Sequence, residues 1–352
     1  MNVSNKPAGK LWFRVPYDAQ NALPGKAFLK ALLRKASPIR SPDSHPAICA
    51  NPVAKQIPTK GRAGSHVNIK EILTQFGFGE QSEATAFKHE EDDADYTVWK
   101  IQENDAAYVL KKASEQELTV YNTFLASAGD SVPHFYKSLS YGGELFLLME
   151  YIEGHDLRKC DRESLTAVLD ALIYLQNMYW ERRDLQDTCH GFETSLPGRQ
   201  KRGRYLNDAG LEQAYERYLQ LYSAIPRTLC HDDLLPFNVL CTGERAVIID
   251  WECAGILPYP TSLARLIAHC EKDESAFFYM TQADRDYAIE YYFEHLLSAK
   301  GVDYGDYRRT LDYFLLYEYC EWVMLGVKYS ETGSERYKQY YAKAKAHLKN
   351  LT

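Results

Sequence analysis

No Cys-x-x-Cys pair occurs in this chain of 352 residues, although it holds eight cysteines. Scattered thiols without a secretory leader read as reduced side chains of a cytosolic protein, and no structural zinc site is expected. Long apolar runs are missing too. None approaches the roughly eighteen residues of a membrane span, so a soluble, cytoplasmic protein without a membrane partner is expected. Acid is scarce at the start: residues 1–66 carry 11 Lys+Arg and 2 Asp+Glu, against 30 and 46 in the remainder. An acidic body without a basic face or a recognisable module argues against nucleic acid as a partner. Residues 1–66 also combine many prolines and polar breaks with one helical candidate, 27–36, and read as a mostly disordered extension. An organellar leader would need an amphipathic helix nearer the terminus. The other reading is that translation begins near Val67, where the folded pattern starts.

What is present from there on is regular. A helix is expected over 68–76, stopped by Gly77 and Gly79. Strands follow at 84–89, 96–102 and 107–112, then a helical pattern through Glu117, Val120, Tyr121 and Phe124. A hairpin at 133–140 and 145–151 turns on Gly142-Gly143. Beyond it the chain turns helical: Asp161 is placed to cap 162–183, and helices are expected at 212–222, 283–299, 304–329 and 334–349. The 27 tyrosines concentrate in this half, most of them expected as core residues with a wet hydroxyl.

The stretch Leu229 to Gly255 gathers one histidine, one asparagine and five acidic residues among short apolar runs. Residues 238–240 and 246–249 flank Thr242-Gly243-Glu244-Arg245, a hairpin turn that would lay Asn238 beside Asp250. An amide oxygen and a carboxylate converging there make a hard-oxygen site suited to Mg²⁺ carrying a phosphate chain. Asp233, on a loop just upstream, is placed to orient a hydroxyl.

His-x-Asp-x4-Asn at 231–238 followed by Ile-Asp-Trp-Glu at 249–252 resembles the catalytic core of the aminoglycoside phosphotransferase and choline kinase superfamily, a branch of the protein-kinase-like fold. The resemblance implies an α+β, two-lobed fold. An N-terminal lobe at 67–152 would be an antiparallel sheet plus one helix ending in a hinge, and a mainly α lobe would span 153–352. It implies ATP and Mg²⁺ as cofactors and a small-molecule hydroxyl acceptor, aminoglycoside-like, an amino alcohol or a sugar, and the negative body is compatible with a cationic acceptor without requiring one. Carried over residue by residue, Asp233 would be the catalytic base, His231 a scaffold for its loop, and Asn238 and Asp250 metal ligands. Lys111, at the end of Tyr-Val-Leu-Lys, would hold phosphates and pair with Glu117, with Lys112 the alternative if the strand register slips by one. In Leu-Met-Glu-Tyr-Ile-Glu-Gly, the Glu150 carbonyl and Ile152 N–H would meet the adenine edge, with Met149 bordering the pocket.

Glu318, Glu321 and Trp322 share a helix face and, with Asp232, are candidates for binding a cationic acceptor. The pattern also departs from the family. Residues 90–95, where a nucleotide-covering loop is expected, are acidic and lack glycine. Asp232 stands where glycine is usual, Leu235 where histidine is frequent, and Ser262 replaces the aspartate of the customary Asp-Leu-Ala. The competing class is therefore a non-catalytic kinase-like protein, of spore-coat type or a regulatory nucleotide binder.

Overall fold

A computed structural model describes residues 68–88, 95–182, 184, 185, 187–243 and 245–351, all within one compact unit, Ser41–Thr352. The basic extension, the acidic loop at 89–94 and the turn residue Glu244 lie outside the described residues. Helix α1 (Ile69–Phe76) ends on Gly77, whose φ of 91° is the left-handed conformation that closes a helix at little cost to glycine. It buries Ile72, Leu73 and Phe76 against Ile101, Leu110, Phe146 and Leu148 of a five-stranded antiparallel sheet. Its strands are β1 (Glu83–Lys88), β2 (Asp95–Glu103), β3 (Ala106–Ala113), β4 (Phe135–Tyr141) and β5 (Glu144–Glu150), ordered β1-β2-β3-β5-β4. Helix α2 (Glu115–Thr123) follows β3 directly. The β4–β5 turn has positive φ at both Gly142 and Gly143, as the hairpin signal requires.

After β5 the chain is stitched to the catalytic stretch before it becomes helical: His155 exchanges backbone hydrogen bonds with Cys241, and the Leu157 N–H donates to the Pro236 carbonyl. Helix α3 (Arg162–Met178) starts on Asp161, whose carboxylate accepts the Ser164 N–H, but it stops five residues short of 183. Helix α4 (Phe192–Arg202) contains Pro197. This segment is not among the helices expected from the sequence, and burial of Phe192 and Arg199 on one side outweighs the weak local preference of a stretch holding Pro197 and Gly198. Helix α5 (Ala209–Ala224) precedes two small antiparallel ladders. One joins β6 (Arg227–Cys230) to β9 (Gly255–Pro258), the other β7 (Val239–Cys241) to β8 (Ala246–Ile248).

Helix α6 (Pro260–Ala268) is buried along its whole length, and α7 (Gln282–Tyr292) runs into a π turn at Phe293–Leu297 rather than continuing to 299 as one helix. The 25-residue α8 (Tyr304–Lys328) is the axis of the helical part, with α9 (Glu335–Leu351) returning along it. The chain is thus α+β, an antiparallel sheet with its helices followed by a mainly helical portion.

Candidate active site

Pleating decides between the two lysines of β3. Lys111 points inward, its Nζ 2.7 Å from Glu117 Oε1 and 2.5 Å from Asp250 Oδ1, while Lys112 pairs at the surface with Glu144 at 2.9 Å. Glu117 is delivered by α2, whose N-cap Ser114 accepts the Glu117 N–H at 3.2 Å. Burial pushes the Glu117 carboxyl up to about 7 even beside the Lys111 ammonium, and its Oε2 has no hydrogen-bond partner among the described residues. Burial also disfavours the ammonium of Lys111, but Asp250 and Glu117 outweigh it and hold Lys111 above its ordinary range. The same ammonium holds Asp250 below the usual carboxylate range.

The loop after β6 is fastened at each residue. The backbone N–H of His231 donates to Ser262 Oγ at 3.0 Å, so the serine standing where relatives keep aspartate still holds the loop. On the ring, the Asp233 N–H can only donate, so Nδ1 accepts it at 3.3 Å; the Ile249 carbonyl can only accept, so Nε2 carries the proton, at 2.8 Å. Burial lowers the His231 pKa in spite of the carboxylates around it, which suits this neutral tautomer. Asp232 has φ of 55°. That conformation explains why glycine is usual here, and aspartate is among the few side chains that tolerate it. Both Asp232 oxygens accept from Nη2 of Arg199, at 2.7 and 2.9 Å. Arg199 is buried on α4 between the rings of Tyr222 and Tyr317, 4.9 and 4.4 Å from their centroids, and bonds the Tyr218 hydroxyl.

Asp233 is held differently. Arg265 reaches its Oδ1 with Nε at 3.1 Å and Nη2 at 2.7 Å, leaving Oδ2 without a protein partner among the described residues. Asn238 donates Nδ2 to the Asp233 carbonyl at 2.8 Å, which likewise leaves its amide oxygen open. The β7–β8 register differs from the expectation by one: Asn238 faces Ile249, whose N–H donates to the Asn238 carbonyl at 2.9 Å. The turn closes on Thr242 and Arg245, not symmetrically about 244. Asp250 lies one residue past the last pair, and its φ of 64° carries the side chain to Lys111.

At the end of β5, Met149 is buried and Glu150 is committed by its side chain, Oε1 to Arg245 at 2.6 Å and Oε2 to the His134 N–H at 3.1 Å. Ile152, one residue past Tyr151 and buried, has no hydrogen bond to its N–H among the described residues.

The side chains expected to hold a cationic acceptor meet cations of the chain itself. Glu318 and Glu321 are buried and already hold a cation of the chain itself: Arg265 Nη1 lies 2.7 Å from Glu318 and 3.1 Å from Glu321, and Arg202 adds 2.8 Å to Glu321. Trp322 is buried with the Arg336 guanidinium 4.9 Å from its ring centre. Asp232 is occupied by Arg199. These four residues face inward arginines, so no free acidic and aromatic wall results. Sequence reasoning missed Arg199, Arg202 and Arg265. One signal existed for Arg265: an arginine within the apolar run Ser-Leu-Ala-Arg-Leu-Ile-Ala must be buried and so must be paired.

A model described as the phosphotransferase enzyme family matches residues 87–297, more than half of the chain. The chain belongs to the phosphotransferase enzyme family. No curated protein sequence matches it. Among solved structures it is similar to the choline kinase LicA from Streptococcus pneumoniae, at 16% identity over 80% of this chain and 98% of that one, with a TM-score of 0.50. It is also similar to a thermostable mutant of aminoglycoside phosphotransferase APH(4)-Ia in a ternary complex with AMP-PNP and hygromycin B, at 14% identity over 81% and 98% of the two chains, TM-score 0.52. At such identities the likeness speaks for the fold. The family membership makes the protein a phosphotransferase in kind.

Proposed function

We propose that the chain is an ATP- and Mg²⁺-dependent kinase that moves the γ-phosphoryl group to a hydroxyl of a small molecule. The observation that carries this is the meeting of Lys111, Glu117 and Asp250, from three separate elements, in one ion-paired cluster. Asp233 and Asn238 stand on the adjoining loop. In this reading residues 67–152 form the nucleotide lobe and 153–352 the acceptor lobe.

Among the described residues no three His, Cys, Asp or Glu side chains form a metal cage. Mg²⁺ does not need one, because it is commonly held by one or two protein oxygens together with substrate phosphates. The open amide oxygen of Asn238 and the carboxylate of Asp250 are hard donors that fit it. When bound, the ion neutralises charge on the phosphate chain. Lys111, preset by Glu117, positions the phosphates, while the Ile152 N–H and Glu150 carbonyl take the adenine edge beside Met149. Asp233 Oδ2 accepts the hydrogen bond of the acceptor hydroxyl and aims its oxygen at the γ-phosphorus. As the new P–O bond forms and the bond to the β–γ bridging oxygen breaks, the hydroxyl proton passes to Oδ2. Catalysis then rests on positioning and charge neutralisation.

A second, non-catalytic reading has one observation in its favour: Lys111 occupies one carboxylate oxygen of Asp250, the proposed metal ligand. Thermal unfolding with ATP and a transfer assay separate the two. Stabilisation that requires Mg²⁺ and disappears in Asp250→Ala supports nucleotide binding at this site, at about 2.7 kcal/mol when ATP is 100 times its Kd, and γ-phosphate transfer to a hydroxyl acceptor, lost in Asp233→Asn, supports the kinase reading over a regulatory nucleotide binder. No shift at millimolar Mg²⁺·ATP supports the non-catalytic one.

A further inference from the structure

We propose that the acceptor is an anionic hydroxyl compound, a hydroxy acid or a sugar bearing a carboxylate or phosphate, and that Arg202 receives its charge. The inference rests on the phosphotransferase reading and names the substrate class of that same site.

Apart from Asp233, whose Oδ2 is open, the carboxylates around the nucleophile-orienting oxygen are already matched by guanidinium groups of the chain. Asp232 holds Arg199, Asp233 Oδ1 and Glu318 hold Arg265, and Glu321 is shared by Arg265 and Arg202. With Asp233 Oδ2 given to the acceptor hydroxyl, a cationic acceptor would have to take one of the other carboxylates from an arginine, in surroundings that strand the arginine without a counter-charge. Glu252 has no partner among the described residues, but it stands toward α2, where its charge is felt by Glu117. It belongs to the nucleotide side.

The wall that supplies the arginines is basic in sequence as well. Between Thr194 and Asn207 there are Arg199, Lys201, Arg202 and Arg204 and no acidic residue. Arg199 and Arg202 lie one helical turn apart on α4, and both reach inward, to Asp232 and to Glu321. Their exposures differ. The side chain of Arg199 is 2% exposed and that of Arg202 is 35% exposed. Arg202 spends Nη1 on Glu321 and Nε on the Gly198 carbonyl, which leaves Nη2 without a partner among the described residues. It is tied to the site through Glu321, the carboxylate that also bonds the arginine fixing Asp233. A guanidinium anchored on one edge and open on another is suited to receive a carboxylate or phosphate.

The test uses the full chain with Mg²⁺·AMP-PNP in calorimetric titrations, then Mg²⁺·ATP in steady-state transfer. Glycerate, gluconate and a hexose monophosphate are compared with choline, ethanolamine and kanamycin. An anionic probe is expected to bind and to be phosphorylated with kcat/KM at least about tenfold above any cationic probe. Arg202→Gln should raise the acceptor KM roughly tenfold or more, the loss expected for a charge-assisted hydrogen bond, with the ATP KM unchanged. Arg202→Lys, which keeps Glu321 paired and the fold intact, should restore part of the loss. A preferred cationic acceptor, an acceptor KM indifferent to Arg202→Gln, or no response to any anionic probe while nucleotide binds overturns the inference. Failure of Mg²⁺·ATP to bind at all overturns the phosphotransferase reading beneath it instead.

Discussion

Replacing Arg265 by glutamine tests the proposition that one buried guanidinium both holds Asp233 and neutralises the two glutamates behind it. Its side chain is 3% exposed and contacts Asp233, Glu318 and Glu321. Removing it takes from Glu318 and Glu321, two buried carboxylates, the guanidinium that both of them share. Breaking a buried pair in this way costs about 3–5 kcal/mol, a large share of the roughly 5–15 kcal/mol that a domain has to lose. At about 2 °C per kcal/mol, suited to a chain of this size, the melting temperature should fall by roughly 6–10 °C. The loss should depend on pH in a defined direction. Burial opposes the charged form of Glu318, but Arg265 outweighs it and holds that pKa below the ordinary value. Without Arg265 burial prevails, the folded pKa rises above the unfolded one, and the stability gained by protonation disappears as pH rises through it. The gap between variant and wild type should therefore widen from pH 5 to pH 8 in melts read by circular dichroism. Turnover of Arg265→Lys should fall through kcat with the ATP KM retained, because an ammonium cannot reproduce the two-pronged contact on Asp233 Oδ1. Melting within about a degree of wild type, less than one kcal/mol would give, together with normal kcat would refute the reasoning.

Asp232→Gly supplies the residue usual in the family and relieves a left-handed backbone, a gain of about 1 kcal/mol. It also strands the buried Arg199, a loss of about 3–5 kcal/mol, so net destabilisation of roughly 2–4 kcal/mol is expected in denaturant titrations, and a stabilised variant would contradict the pairing. His231 has its folded pKa lowered by burial, against Asp233, Asp250 and Asp232 nearby. Its contribution is present above the unfolded value of about 6.5 and lost as pH falls through the folded pKa. The wild-type stability should accordingly drop as pH falls below about 6.5 relative to His231→Gln, and parallel pH profiles would show that the ring is not constrained as described.

The parts of the site legible in the sequence are those whose geometry is local. Lys111 and Glu117 are joined by one turn between a strand and a helix, so the end of the strand nearly dictates their meeting. The register between β7 and β8 was misjudged by one residue because symmetry about Glu244 was assumed, whereas the turn closes on Thr242 and Arg245. Asp250 still reaches the cluster, since a left-handed backbone at that residue redirects the side chain. The arginines escaped notice for a different reason. Arg199 and Arg265 meet their carboxylates 33 and 32 residues away along the chain, on helices whose packing is decided by tertiary burial. The face with Glu318, Glu321 and Trp322 was seen correctly as acidic and aromatic, but spacing on one helix does not tell which side of that helix meets solvent.

Taken together, the charges behind the catalytic loop account for the departures from the family pattern. Three guanidinium groups, Arg199, Arg202 and Arg265, stand against four carboxylates, Asp232, Asp233, Glu318 and Glu321. Three of those carboxylates are satisfied inside the protein. The surplus negative charge rests on Asp233, whose Oδ1 is fixed and whose Oδ2 is open. An aspartate at 232 is thus the counter-ion that lets Arg199 be buried on α4, and a serine at 262 suffices for the loop because Arg265, one helical turn further on, takes over the charge balance that an aspartate at 262 would upset. A fifth carboxylate there would add one more uncompensated charge beside that of Asp233 and compete with it for Arg265. The arrangement concentrates negative charge on the single oxygen that faces the acceptor hydroxyl, which is where transfer to that hydroxyl needs it.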